Sequence, residues 1–174
     1  MNERKMELLR GLEAEFKEAD DIGEVTVFKS EELGGIADML RAEIPEFGTD
    51  LVSVLGEFFF LPFEENEVLY FTSVITLSGS ITEDIAPDLA IAVARLNYIL
   101  PCGCFALGDN DKNLIFRFSV PVFGDEDKKR QEMEVSNAAN TAILVAEKYE
   151  AYLKLVMNND MTVDEMIKTV QKGN

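Results

Sequence analysis

The sequence predicts an α+β fold: an antiparallel, twisted sheet of two hairpins packed by helices, with an N-terminal helix and a long C-terminal helix. Two observations carry this prediction. Residues 86–122 change from a helical period to a period of two without a linker, and residues 51–77 are rich in Phe, Val, Ile and Thr around an acidic turn. We therefore expect hairpins at about 51–77 and 103–122. At 174 residues the chain has the length of one domain.

The start of the block 86–122 is typical of a helix that lies against a core. Its apolar residues recur at helical spacing, as Leu89, Val93, Leu96 and Leu100. Pro87 suits a first helical turn, where its missing N–H has no partner to lose. Pro101 is expected to end the helix, because the residue before a proline is driven out of the α region. We expect a helix over 86–99, with Asn97 among the positions that face water.

The end of the same block predicts a hairpin with one face in the core. Alternate residues of its second strand are apolar, namely Leu114, Phe116, Phe118, Val120 and Val122. Gly103 permits the chain reversal after the helix, and residues 108–113 have the composition of a hairpin turn. Asp109, Asp111 and Asn113 imitate the start of a calcium loop. The glycine and glutamate that such a loop needs further on are missing, so no metal is expected.

The hairpin at 51–77 has a second strand that is apolar on both faces. One face carries Leu69, Phe71, Ile75 and Leu77, and the other carries Val68, Tyr70, Thr72 and Val74. Two interpretations are open. The strand is central and covered on both sides, or one sheet face stays partly bare for a partner or a second subunit. On the second interpretation, the predicted contact surface comprises Phe58, Phe60, Tyr70 and Val74.

Residues 1–48 are predicted to form an N-terminal helical extension of the single domain 1–174. An amphipathic helix is expected over 2–19 and a short strand at 25–28. Leu33, Ile36, Ala37 and Leu40 have helical spacing, so we predict a helix over 30–44, although two consecutive glycines weaken it.

The C-terminal part of the chain is predicted to be helical. An apolar stripe rich in alanine indicates a long helix over 126–157, whose small residues let its backbone approach the sheet closely. Thr162 and Glu165 have the spacing of a capping box, which predicts a short terminal helix over 162–172.

Composition excludes several classes of function. With 16 basic and 33 acidic residues the net charge is −17, and this opposes binding to nucleic acids and anionic membranes. No apolar run approaches the ~20 residues of a membrane helix, and the N-terminal residues lack the apolar stretch of a secretory signal. We expect a cytoplasmic protein. Its acidity maintains solubility and would also suit a basic protein partner.

The chain has no histidine, so the commonest general base and every Ser-His triad are absent. We therefore predict a non-enzymatic protein without a cofactor. Cys102 and Cys104 offer the alternative of a small-molecule-binding or thiol-based redox protein. However, they follow a helix end, whereas it is a helix start that activates a thiol, and no second pair completes a metal site.

The order of elements resembles the type III secretion chaperone-like fold, including its YbjN-type bacterial branch. The motif that carries the resemblance is the helix–strand junction formed by Leu96, Asn97, Leu100, Pro101, Gly103 and Phe105. The resemblance covers about residues 50–157, which would form a chaperone-like core. It implies a small, acidic, cytoplasmic homodimer without enzymatic activity, which binds segments of partner proteins on apolar patches. We thus expect a protein-binding module, chaperone-like or regulatory, with a protein partner and neither nucleic acid nor membrane.

Overall fold

A computed structural model describes residues 2–62, 67–78, 81–108 and 113–173. The described part folds into five helices and six strands. In chain order these are α1 (Asn2–Glu18), β1 (Val25–Phe28), α2 (Ser30–Leu33), β2 (Met39–Phe47), β3 (Val52–Phe60), β4 (Val68–Ser78), α3 (Ala86–Asn97), β5 (Cys104–Leu107), β6 (Leu114–Phe123), α4 (Lys128–Met157) and α5 (Val163–Gly173). The predicted α+β fold, with an N-terminal helix and a long C-terminal helix, is confirmed.

The strands form one antiparallel sheet in the order β1-β2-β3-β4-β6-β5. The two predicted hairpins are β3–β4 and β5–β6, and β4 pairs with β6 at the point where they meet. The predicted acidic turn at 64–67, apart from Glu67, and the calcium-loop imitation at Asp109 and Asp111 lie outside the described residues.

The helices cover one face of this sheet, which we call the core face. Helix α4 packs against β4 and β6, α1 packs against β1 to β3, and α3 lies between β5, α4 and α5. Four alanines of α4 are buried, namely Ala138, Ala139, Ala142 and Ala146. Their small side chains allow the close approach between helix and sheet that the alanine-rich stripe predicts.

The prediction of a helix over 30–44 is wrong beyond its first turn. Helix α2 ends at Leu33, and Gly34 follows with a φ of 61°, which places it in the left-handed region. Residues 39–47 form a strand because Leu40, Ala42 and Ile44 alternate with polar residues and are buried by the core. The N-terminal segment 1–48 therefore contributes β1 and β2 to the sheet, in addition to helices α1 and α2.

Two predicted helix and strand boundaries are formed by the residues that predicted them. Thr162 and Glu165 form the capping box of α5: the Thr162 N–H donates to Glu165 Oε2 at 2.9 Å, and the Glu165 N–H donates to Thr162 Oγ1 at 3.3 Å. Gly103 adopts a φ of 68° between α3 and β5. A Cβ there would lie 2.3 Å from Cζ of Phe116, so glycine is required for space as well as for conformation.

Candidate protein-binding face

The second face of the sheet, which we call the open face, consists of the side chains that point away from the helices. Its apolar residues do not belong to the core cluster in which the described helices take part. Apart from Pro121, they are Phe28, Met39, Leu55, Phe59, Val68, Tyr70, Val74, Ala106, Ile115 and Phe123. All of these are half-buried except Leu55 and Phe123, which are 39% and 45% exposed.

The strand register arranges the open face in rows that cross the sheet. Directly paired residues lie on the same face, so successive pairs define each row. One row runs Phe28, Met39, Phe59, Thr72, Ser119. The next runs Thr26, Arg41, Glu57, Val74, Arg117, Cys104, and a third runs Glu43, Leu55, Thr76, Ile115, Ala106. Val74 therefore lies at the centre of the face.

Polar contacts hold several open-face side chains in place. Arg41 Nε donates to Glu57 Oε1 at 2.9 Å, and the Arg41 guanidinium lies 5.7 Å from the centre of the Phe28 ring. The hydroxyls of Thr72 and Ser119 are 2.9 Å apart. Thr72 is fully buried under its neighbours even though no described helix covers it. These contacts hold the open-face side chains in a defined arrangement.

The paired strand positions of the open face are electrically balanced on a strongly acidic chain, while Glu24, which precedes β1, adds one negative charge at that end. The paired positions carry two basic residues, Arg41 and Arg117, and two acidic residues, Glu43 and Glu57. Their formal charges sum to zero, whereas the whole chain carries −17. An apolar area with little net charge on a strongly charged molecule is the kind of surface that another protein covers at low electrostatic cost.

The four residues predicted to form the contact surface lie on opposite faces of the sheet. Tyr70 and Val74 are half-buried on the open face. Phe58 and Phe60 are 0% and 2% exposed and lie in the core, so they form no surface of this subunit. The reason is register: Phe58 pairs with Ser73 and Phe60 with Phe71, and both partners are core-face residues.

Phe59 is the open-face residue of β3 that the sequence analysis missed. A run of three phenylalanines hides the period of two that would reveal which of them points outwards. The available signal was Glu57, since a charged residue two positions earlier marks the same face. Leu55 shares this parity and lies on the open face as well.

The edge of β6 offers little to a partner that would add a strand. Strand β5 pairs with β6 only as far as Arg117, so residues 118–123 continue beyond it. Pro121 lies in this continuation and has no N–H to donate. The Phe123 carbonyl is also unavailable to a partner strand, because it accepts a hydrogen bond from Gln131 Nε2 at 2.5 Å. Strand addition along residues 118–123 is therefore hindered, which favours the open face over this edge as the candidate surface.

Both cysteines are free thiols. Cys104 is exposed at the beginning of β5, where it pairs with Arg117 on the open face, and Cys102 is half-buried in the preceding turn. Within the described ranges, no group of three or more Cys, Asp or Glu side chains is arranged to hold a metal ion.

The most strongly buried carboxylate belongs to α4 and not to the open face. Glu150 is 0% exposed, and its Oε1 lies 2.5 Å from Lys154 Nζ. Burial raises the pKa of Glu150 even though the hydrogen bond from Lys154 opposes this shift. The nearby Gly48 leaves room for this carboxylate, because a Cβ on Gly48 would lie 2.7 Å from Glu150 Oε2. Lys154 Nζ also lies 3.0 Å from Asp50 Oδ2, and the Gly48 N–H donates to Glu147 Oε1 at 3.2 Å, so these contacts anchor α4 to the turn after β2.

None of the helices in the described ranges is long and apolar enough to cross a membrane. Comparisons with family models, curated proteins and solved structures give no match to this chain.

Proposed function

We propose that this chain is a non-enzymatic, cytoplasmic protein-binding module, chaperone-like or regulatory, whose open face binds a segment of a partner protein. The occupant that we propose is an extended apolar segment that carries basic residues. The type III secretion chaperone-like resemblance, including its YbjN-type branch, is part of this proposal. The thiol-based alternative rests on Cys102 and Cys104 alone.

One observation carries the proposal: apolar side chains occupy the open face without a described helix to cover them. Phe59, Tyr70 and Val74 are half-buried, and Leu55 is 39% exposed. Covering apolar area stabilises an interface by roughly 25 cal/mol per Å² before the costs of association. The charge of −17 supports a partner with basic residues, because it attracts them over long distances.

We also propose that the protein is a homodimer, and that the second copy contacts the outer face of α3. Ile91 and Tyr98 are 52% and 91% exposed there. Arg95 on the same face is already paired with Asp164 of α5, at 2.5 Å, so the contact that we propose is apolar and rests on Ile91 and Tyr98. Sedimentation equilibrium tests this: the wild-type chain should have twice the mass of the Ile91→Asp variant.

Affinity capture with matched variants tests the binding function. Val74→Asp places a charge at the centre of the open face, whereas Leu144→Asp places the same charge on the outer face of α4, where Leu144 is 65% exposed. We expect the tagged wild-type chain and Leu144→Asp to retain the same co-purifying protein in fixed proportion. Val74→Asp should lose it while its circular dichroism spectrum at the temperature of the capture remains that of the folded wild type. Equal capture by both variants would contradict the proposal.

A further inference from the structure

A depression of about 220 Å³ lies at one end of the open face, where β1, β2 and β3 meet. Its apolar part is formed by Phe28 and Leu55, and its polar part by Glu24, Arg41 and Glu43. It has room for one long side chain. The rows of open-face residues that contain Phe59 and Val74 lead into this depression at the β1 edge of the sheet, so one bound segment could contact both.

The arginine of the depression is already paired. Arg41 Nε and Nη2 are both 2.9 Å from Glu57 Oε1, and its guanidinium lies against the Phe28 ring. Three glutamates, Glu24, Glu43 and Glu57, therefore surround one arginine, which leaves a local charge of −2. This local negative charge would repel an anion and attract a cation.

Glu43 is held in position by contacts on both sides. Its Oε1 accepts a hydrogen bond from Ser53 Oγ at 2.6 Å. Its Oε2 lies over Gly23, since a Cβ on that glycine would be 3.4 Å away from it. Neither contact neutralises the carboxylate. Glu43 is exposed, and so is Glu24, and neither of them forms an ion pair with another described residue.

We propose that this depression accepts a lysine or arginine side chain of the partner segment. The methylene groups would lie on Phe28 and Leu55 while the charged end reaches Glu24 and Glu43, as long basic side chains do at apolar–polar boundaries. The inference rests on the proposed function and names the residue type that the open face selects. It also fixes the direction in which the partner crosses the sheet, with its basic residue at the β1 side and its apolar residues over Val74.

A pair of fluorescein-labelled peptides tests the inference. One alternates valine and lysine, and the other carries glutamine in place of each lysine. Fluorescence anisotropy should show that the lysine peptide binds the wild-type chain more tightly than the glutamine peptide. Glu24→Gln combined with Glu43→Gln should weaken the lysine peptide roughly fivefold, as expected for the loss of two partly exposed ion pairs. The glutamine peptide should be unaffected by these substitutions.

The control removes the same charge elsewhere. Glu83→Gln combined with Asp160→Asn replaces two exposed acidic residues in the loops before α3 and after α4. Equal weakening by both pairs would mean that only the overall charge of the chain attracts lysine, and it would overturn the inference. Equal affinity of the two peptides for the wild-type chain would overturn it as well.

The variant Val74→Asp separates this inference from the proposed function. If both peptides bind equally and both are lost in Val74→Asp, the open face binds proteins but the depression does not select a basic residue. If neither peptide responds to Val74→Asp, the proposed function itself fails. Release of the lysine peptide as the protein concentration rises and dimers form would show that a second copy covers the face, and would overturn both.

Discussion

The side chain of Asn97 forms two hydrogen bonds with the backbone of Phe105. Its Nδ2 donates to the Phe105 carbonyl at 2.9 Å, and its Oδ1 accepts from the Phe105 N–H at 2.8 Å. An amide side chain thus pairs with β5 as a neighbouring strand would, and it fastens the end of α3 to the edge of the sheet. Asn97 is half-buried and does not face water as the sequence analysis expected.

Asn97→Ala should destabilise the protein by about 1–3 kcal/mol, because it leaves buried polar groups of Phe105 without their partner. Urea unfolding followed by circular dichroism measures this free energy. Asn140→Ala is the control, since Asn140 is exposed on α4 and its amide makes one long hydrogen bond, to Ser136 at 3.4 Å, among the described residues. If both substitutions lower the free energy of unfolding equally, the hydrogen bonds to Phe105 make no specific contribution to stability.

Gly103→Ala should cost considerably more stability than Gly34→Ala. Both glycines have a left-handed φ, 68° and 61°, so alanine strains both by about 1 kcal/mol. A Cβ on Gly103 would also meet Phe116 at 2.3 Å, whereas a Cβ on Gly34 would have nothing within 4 Å. We expect a loss of at least ~3 kcal/mol for Gly103→Ala. If the two variants unfold at the same urea concentration, the contact between a Cβ at position 103 and Phe116 adds no cost, which would contradict this prediction.

Glu150→Gln should change how stability depends on pH. Burial raises the pKa of Glu150 in the folded protein, so the folded state binds its proton more tightly than the unfolded state. This carboxyl therefore adds stability as pH falls from its raised pKa towards 4.5, its ordinary value, and that gain is lost as pH rises. The free energy of unfolding of Glu150→Gln, relative to that of the wild type, should decrease as the pH is lowered through this range.

Unfolding midpoints of the two proteins over a series of pH values measure this difference. The matched control is Glu83→Gln, which removes an exposed carboxylate from the loop before α3. Its pH curve should run parallel to that of the wild type. A constant offset between Glu150→Gln and the wild type across the series would contradict the assignment of the shift to burial of Glu150.

Cys104 should react with iodoacetamide before Cys102, because Cys104 is exposed and Cys102 is half-buried. Mass spectrometry of digested samples gives the two rates. If the protein is a binding module, Cys102→Ser, which leaves the open face unchanged, should retain the captured partner in full. Loss of the partner only under oxidising conditions, and only in the chain with both thiols, would favour the redox alternative.

The sequence predicts those elements whose period is unambiguous. Helix α3 and strand β6 follow directly from the spacing of their apolar residues, and the capping box locates the start of α5. The sequence does not predict strand β2, because Gly34 and Gly35 interrupt the apolar pattern before it and Pro45 lies within it. That proline is tolerated because the ladder shifts register between Ile44 and Phe47, so it lies at a bulge.

Predicting which residues form the open face would have required knowledge of how β3 and β4 pair. The pairing of Phe58 with Ser73 assigns Phe58 to the core, and no local pattern in the run Phe58-Phe59-Phe60 contains this information. Gly56 confirms it in three dimensions: a Cβ there would lie 2.8 Å from Cε2 of Phe58, so the ring occupies the space that the glycine leaves on the core face. The pairing between strands determines which face of the sheet each residue lies on, and the sequence of one strand alone does not reveal this pairing.

Site-specific photo-crosslinking tests the central claim, that another protein covers the open face, most directly. A benzophenone amino acid is introduced in place of Phe59 on the open face, and in a second chain in place of Leu144 on the outer face of α4. After irradiation of cells that make these chains, we predict a discrete adduct with a second protein from position 59 and none from position 144. Adducts from position 144 alone, or from neither position, would contradict the claim, and an adduct of twice the chain mass from position 59 would identify the occupant as a second copy.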